Sequence, residues 1–337
     1  MIAHSSARAT APAGRVLITT VPFAQRDPRP LELLRAAGLD IVVNPIGRRL
    51  LEGEVAELAR DFPILIAGTE PITAHVLRQA RHLRMIARVG VGLDNVDLLE
   101  ARARGIHVTY TPDAPSPAVA ELTVGLMLCL LRDIPGADRR LRNGVWRRAL
   151  GRRLGETTVG VVGVGRVGRL VIKHLLGFPG VQILANDLQP DADVGACGVR
   201  WVNKETLYRE ADLITLHLPL TPVTRRLITM REILQMKAGV LLVNTSRGTM
   251  IDESDLATAL RSGFVGGAAL DVFGQEPYAG ELTQIERCVL TCHMGSMSED
   301  CRSRMELEAV EEVLRFSRGE ALLREIPEDE FLRAQGV

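Results

Sequence analysis

Short runs of β-branched and aliphatic residues recur along this chain, and the stretches between them carry apolar residues at helical spacing. Residues 16–20, 41–43, 64–67 and 85–87 read as buried strands, and 31–37, 54–60 and 73–80 as the helices between them. Gly38 supplies a glycine stop to the first helix. A second series predicts strands near Val159, Ile183, Leu213, Leu241, Ala268 and Val289, preceded by helices over 118–132 and 136–143. The last long helix, 299–318, places Met305, Leu307, Val310, Val313, Leu314 and Phe316 on one buried stripe. Strands and helices alternating across short turns make a parallel α/β layer. The two series are separated by residues 110–117, where three prolines in six residues form a stiff crossing suited to a hinge. The closing helix is expected to return to the first unit, making that unit discontinuous.

One stretch of the second series carries a specific signal. Gly163-Val164-Gly165-Arg166-Val167-Gly168 follows a β-branched run and opens an apolar-periodic segment, which is the strand, tight turn and helix that a G-x-G-x-x-G needs. Gly163 supplies the sharp turn, Gly165 the close backbone approach to a pyrophosphate, and Gly168 the helix–strand contact. The helix N-terminus aims its N–H groups and dipole at the phosphates. Asp187 stands 19 residues beyond Gly168, where a carboxylate can take the adenine ribose hydroxyls. Leu188, Gln189 and Pro190 follow, with no arginine for a 2′-phosphate, so NAD is expected as cofactor rather than NADP.

Composition narrows the classes. Forty-one basic and 41 acidic residues cancel, which argues against a nucleic-acid or membrane surface. The paired arginines at 139–140, 147–148 and 152–153 fit a solvated face or a subunit contact. Five cysteines, an odd number, make no disulfide framework, and Cys288, Cys292 and His293 match no four-ligand zinc spacing, so no metal is expected. The first residues lack the apolar core of a signal peptide. The longest apolar run, 122–131, has ten residues and is too short to span a bilayer. A cytoplasmic location is expected.

Three further stretches set chemistry at strand ends. Arg247 and Gly248 follow one predicted strand, Asp271 and Glu276 the next, and His293 the last. Ligands of open parallel sheets bind beyond the carboxyl ends of the strands, so Arg247, Glu276 and His293 are candidates to converge on one pocket. His217 and His107 are read as structural, and Met294 and Met297 as pocket wall or core.

Taken together, Arg88-Val-Gly-Val-Gly-Leu-Asp-Asn-Val-Asp97, Gly163 to Gly168, Leu216-His-Leu-Pro-Leu-Thr221, Asn244 to Gly248, Leu270 to Pro277 and His293 to Ser296 resemble the D-isomer-specific 2-hydroxyacid dehydrogenase family. The resemblance runs from residue 16 to about 320 and is nearest the 3-phosphoglycerate dehydrogenase group. It implies two doubly wound parallel-sheet (Rossmann/flavodoxin-like) domains with a cleft between them. The expected boundaries are a disordered tail over 1–14, a substrate-binding domain over 15–112 plus 296–337, and an NAD-binding domain over 113–295.

The implied catalytic set is Arg247 on the substrate carboxylate, His293 as acid–base and Glu276 as its partner. Arg166, Val167 and Asp187 would meet the cofactor, Leu218 and Pro219 line its cleft, and Thr245, Ser246, Asp271 and Gly295 lie toward the nicotinamide. Val91 and Gly92 amides would bind the substrate carboxylate. Arg88 would reach it or a distal phosphate, for which Arg48 and Arg49 are further candidates. A homodimer is implied by the helix from Ala118 and the arginine-rich arm around Trp146. The expected partner is a small 2-hydroxy or 2-oxo acid, with no nucleic acid and no membrane.

The chain departs from the family pattern at Ser296, where many relatives carry glycine or alanine, and in the enlarged turn at Phe178-Pro-Gly180. It is expected to lack the regulatory C-terminal domain of longer members. Two other readings stay open. One is a glyoxylate or hydroxypyruvate reductase; the other, of a different class, is an NAD-sensing corepressor-like binding protein.

Overall fold

The structure, a computed structural model, describes residues 14–335. Apart from Gly14, the tail expected over 1–14 lies outside the described residues. Two compact units emerge: one holds the chain up to Ala114 and again Glu299–Gln335, and the other holds Pro115–Ser298.

The first unit is a five-stranded parallel sheet of order β2-β1-β3-β4-β5, the strands being β1 Arg15–Ile18, β2 Asp40–Val43, β3 Ile64–Ala67, β4 Met85–Arg88 and β5 His107–Thr109. Strands β3 and β4 are buried along their whole length, as strands covered on both faces must be, whereas β2 lies at an edge and keeps partly exposed positions. One face packs Leu17, Leu65 and Ile86 against Leu50, Val55, Val76 and Leu77. Fully burying each such side chain contributes about 1.5–3 kcal/mol. The helix Glu299–Ser317 packs against β3 and β4.

Of its expected stripe, Met305, Val310, Val313 and Leu314 are buried, while Leu307 and Phe316 are only half-buried. The same helix also buries three glutamates that its pattern did not announce. Each has partners, as buried charges require. Glu306 accepts from Ala24 N at 2.8 Å and Arg302 Nε at 2.6 Å, and Glu308 accepts from Arg304 Nε at 2.8 Å. Glu312 accepts from the backbone N–H of Leu323 at 2.9 Å.

The second unit is a seven-stranded parallel sheet of order β12-β11-β10-β9-β6-β7-β8. Its strands are β6 Thr158–Val162, β7 Gln182–Asn186, β8 Arg200–Trp201, β9 Leu213–Leu216, β10 Val240–Asn244, β11 Val265–Leu270 and β12 Cys288–Leu290. The order turns back between β6 and β9, and this topological switch point is where an open α/β sheet opens a crevice beyond its strand ends. Helices Ser116–Arg132 and Arg166–Leu175 pack together over one face, around Met127, Leu131, Val159, Val171 and Leu175. The other face buries Leu207, Ile214, Leu242, Leu256 and Leu260.

Local differences from the sequence reading have local causes. The first long helix of the second unit begins at Ser116 rather than Ala118, with Pro115 as its N-cap and Pro117 inside the first turn, where a missing N–H costs no helical bond. The helices Leu98–Ala103 and Glu253–Ser262 were not anticipated, although Asp97 and Asp252 cap them by accepting N–H bonds and Gly263 closes the second in a left-handed conformation. No helix among the described residues is long and apolar enough to cross a membrane.

Candidate active site

The glycine turn after β6 is fixed by close approaches. Gly163 has φ +91°, and a Cβ there would stand 2.5 Å from His217 O and 2.9 Å from Leu218 Cδ2, in the segment that follows β9. A Cβ on Gly168 would come within 2.1 Å of Gly163 O. These two glycines are required by the chain itself. Gly165 is different: nothing lies within 4 Å of where its Cβ would be, so the space beside it is open. Gly165 is also the N-cap of the helix Arg166–Leu175 and offers no side-chain cap, so the first turn with Arg166, Val167 and Gly168 suits an incoming anion.

Asp187 follows β7 and braces this turn. Its Oδ2 accepts from Val164 N at 2.7 Å and its Oδ1 from Gln189 N at 3.3 Å. A carboxylate carries about four lone-pair sites, so capacity remains for ribose hydroxyls. Turn, uncapped helix and carboxylate together fit a dinucleotide. Of the residues expected beside it, Leu218 lies on the glycine turn, exposed Pro219 accepts a bond from Thr224 Oγ1, and buried Thr245 pairs with Thr123 Oγ1 at 2.8 Å.

The loops after β10, β11 and β12 are locked to one another. Asn244 is a hub at the end of β10: its Oδ1 accepts from Ser246 N at 3.0 Å and Ser246 Oγ at 2.8 Å, and its Nδ2 donates to Arg247 O at 2.9 Å. Arg247 Nη1 donates to Ser246 O at 2.7 Å, which orients the half-buried guanidinium. Gly248 then lies flat on the next loop, where a Cβ would meet Phe273 C at 2.0 Å and its Cα at 2.2 Å. Glu276 Oε1 accepts from Phe273 N at 3.1 Å, and its Oε2 lies 2.8 Å from His293 Nδ1. With Nδ1–H given to Glu276, the imidazole keeps Nε2 for another partner.

His293 has φ +52°, a conformation that costs a non-glycine residue and persists only where its surroundings over-determine it. Asp271, buried at the end of β11, does this. Its backbone O accepts from His293 N at 2.8 Å, its Oδ1 from Met294 N at 2.9 Å and Thr291 Oγ1 at 2.6 Å, and its Oδ2 from Gly295 N at 2.8 Å. The carboxylate placed toward the nicotinamide by resemblance thus has both oxygens on the turn that carries His293. Met294 and Met297, expected as pocket wall or core, are 40% and 44% exposed and are not core. The alternation of buried and exposed positions fails in this turn because it has no regular period.

The remaining candidates lie in the first unit, Arg88, Val91 and Gly92 at the carboxyl end of β4 and Arg48 and Arg49 beyond β2. Arg88 is buried, and its Nε donates to Asn95 Oδ1 at 3.1 Å while Nη1 donates to Val89 O. Arg48 pairs with Glu54 at 2.7 Å, and Arg49 donates to Thr69 O at 2.8 Å. Sequence reasoning missed Asn244 and Asn95 as organisers, although an asparagine just past a strand is a common signal for side-chain bonding to local backbone. No group of three or more His, Cys, Asp or Glu able to hold a metal occurs among the described residues.

Against this geometry, similarity to known proteins can be weighed. The profile described as D-isomer specific 2-hydroxyacid dehydrogenase, NAD binding domain, matches residues 124–295. A hydroxypyruvate reductase of Thermotoga maritima is 39% identical over 273 residues, covering 78% of this chain and 88% of that protein. A D-3-phosphoglycerate dehydrogenase of Methanocaldococcus jannaschii is 39% identical over 278 residues, which is 80% of this chain but 53% of that longer protein. Among solved structures, D-lactate dehydrogenase from Aquifex aeolicus, complexed with NAD and lactic acid, has a TM-score of 0.81 at 26% identity, over 91% of this chain and 96% of that one.

Two predictions follow the packing. Gly248→Ala forces the two loops apart and is expected to cost about 3 kcal/mol of stability, as overpacking does; an unchanged urea midpoint would contradict the contact. His217 pairs with Thr215 Oγ1 at 2.9 Å, and burial pushes its pKa from 6.5 down to about 3. Between those pH values the unfolded chain takes up a proton that the folded chain refuses, so stability rises with pH from about 3 to 6.5 and is fully present above 6.5. His217→Gln is expected to flatten that acid limb in urea titrations, and an equally steep limb would count against it.

Proposed function

The chain belongs to the D-isomer-specific 2-hydroxyacid dehydrogenase family, and we propose that within it the chain reduces a short, unphosphorylated 2-oxo acid of the glyoxylate or hydroxypyruvate kind. As a family member it is an NAD-dependent oxidoreductase interconverting a D-2-hydroxy acid and its 2-oxo acid. The observation that carries the unphosphorylated substrate is the state of the three arginines nominated for a phosphate. Arg48 is engaged by Glu54, Arg49 by Thr69 O, and Arg88 by Asn95 and Val89 O. The carboxylate of Glu70 is buried near the same strand ends, accepting from Gly68 N at 2.9 Å, and would oppose a dianion.

The residues divide the chemistry as follows. Arg247 holds the substrate carboxylate and polarises the C2 carbonyl, a task for which the planar guanidinium fork suits. In the first unit, the Val91 and Gly92 amides are donors for a substrate carboxylate. Bound NADH supplies the hydride. His293 delivers a proton from Nε2 to the carbonyl oxygen, and takes it back in the oxidative direction. Glu276 accepts from Nδ1 and so orients the ring. Asp187 accepts the ribose hydroxyls and opposes a 2′-phosphate.

A homodimer and a cytoplasmic setting are part of this reading. Ile134, Leu141, Val145, Trp146 and Leu150 of the second unit are 48–103% exposed, more apolar surface than a lone face needs to show. All five cysteines are unpaired, which fits a reducing compartment.

The test of the function is NADH oxidation against glyoxylate, hydroxypyruvate and phosphohydroxypyruvate. The two unphosphorylated acids are expected to show at least about tenfold higher kcat/KM, and Arg247→Ala to lose roughly 1000-fold. A preference for the phosphorylated acid would overturn the substrate assignment. For the assembly, light scattering is expected to give twice the chain mass for the native protein and a single chain mass for Trp146→Asp/Leu150→Asp; a native monomer would refute the dimer.

A further inference from the structure

The segment after β4 departs from regular structure and still has a defined shape. Val89 N donates to Ala67 O at 2.8 Å, and Gly90 exchanges bonds with Thr111: its N donates to Thr111 Oγ1 at 2.8 Å and its O accepts from Thr111 N at 3.1 Å. Gly90 has φ +144°, and a Cβ there would stand 2.5 Å from Arg88 Nη1. The next two N–H groups, of Val91 and Gly92, donate to no other group among the described residues. The donors just before this pair, Val89 N and Gly90 N, are committed, and these two are not.

One side chain ties that segment to its neighbour. Asn95 Oδ1 accepts from Arg88 Nε at 3.1 Å, and Asn95 Nδ2 donates to Gly68 O at 3.0 Å and Glu70 O at 2.7 Å. Its backbone O accepts from Ile72 N at 2.7 Å. Gly68 N and Thr19 Oγ1 in turn donate to the Glu70 carboxylate. Asn95 therefore joins the loop after β4 to the loop after β3, and through Arg88 Nη1 on Val89 O it fixes the peptide that leads into Gly90, one residue before the two donors. Only an amide serves here: an aspartate would keep the acceptor for Arg88 but set an oxygen against two carbonyls.

We propose that Asn95, acting through Arg88 and supported by Thr111, is a positioning residue that holds the Val91 and Gly92 N–H groups ready for the substrate carboxylate. This rests on the reading above, in which those amides take that carboxylate. Arg88 is then a prop for the loop and does not touch the substrate. Because the amides hold the carboxylate alike in the ground and transition states, their loss raises KM more than it lowers kcat.

The experiment compares the native chain with Asn95→Ala, Asn95→Asp, Thr111→Val and Thr111→Ser. Asn95→Ala and Asn95→Asp are expected to raise KM for hydroxypyruvate by roughly tenfold or more, with kcat within about threefold and NADH affinity unchanged. Thr111→Val follows them in milder form, and Thr111→Ser, which keeps the hydroxyl, restores the native KM. An unchanged KM in both Asn95 variants, or a loss shared equally by kcat and NADH affinity, would overturn the proposal. Should the native chain reduce no 2-oxo acid, the functional reading falls. Calorimetric titration of oxalate onto the NADH-bound protein then decides the inference: weaker binding by Asn95→Ala supports it, and equal binding overturns it.

Discussion

The geometry of the candidate site depends on one buried carboxylate. Asp271 takes four bonds from the turn that follows β12, one through its backbone and three through its side chain, and so holds His293 in a left-handed backbone conformation. A histidine in that conformation would relax if the turn were free, and the imidazole would leave Glu276. The cost of one strained residue is of order 1–3 kcal/mol, less than several bonds to a buried charge can return. Gly248 completes the constraint by bringing the Arg247 loop onto the backbone of Phe273. Guanidinium, carboxylate and imidazole thus come from three adjacent strand ends whose loops cannot shift independently.

The same economy of donors organises the first unit. Arg88, which looks from sequence like a cation for a substrate, donates to Asn95 and Val89 O and so shapes a loop, and the adjacent amides are the donors proposed for an anion. Backbone donors impose direction without adding a mobile charge, which favours a small planar carboxylate over a bulky dianion. Arginines that bond to their own chain leave less attraction for a distal phosphate than their number suggests.

Much of the fold was legible in the chain. Ile64–Ala67 is an unbroken aliphatic run and becomes a fully buried strand as read, and the glycine turn sits where its spacing put it. Strands β5 and β8 span three and two residues, too short for any periodicity to register. The helix Glu299–Ser317 was visible through its apolar stripe, but its three buried glutamates were not, because their partners lie in other segments. The site was legible by residue type and resemblance only. Asp271 and Gly295 are 24 residues apart, and Asn95 and Gly68 are 27 apart; no local pattern announces a bond across such a distance. Met294 and Met297 are not core, which leaves the pocket wall of the two places read for them, since apolar residues in an irregular turn need not be inside.

The central claim is that Arg247, His293 and the bound coenzyme present one face of a 2-oxo acid to hydride, so that a single hand of alcohol forms. The most direct measurement is the configuration of the glycerate made from hydroxypyruvate and NADH, resolved by chiral chromatography. The account predicts the D-isomer alone. The L-isomer, or a mixture of both, would contradict it.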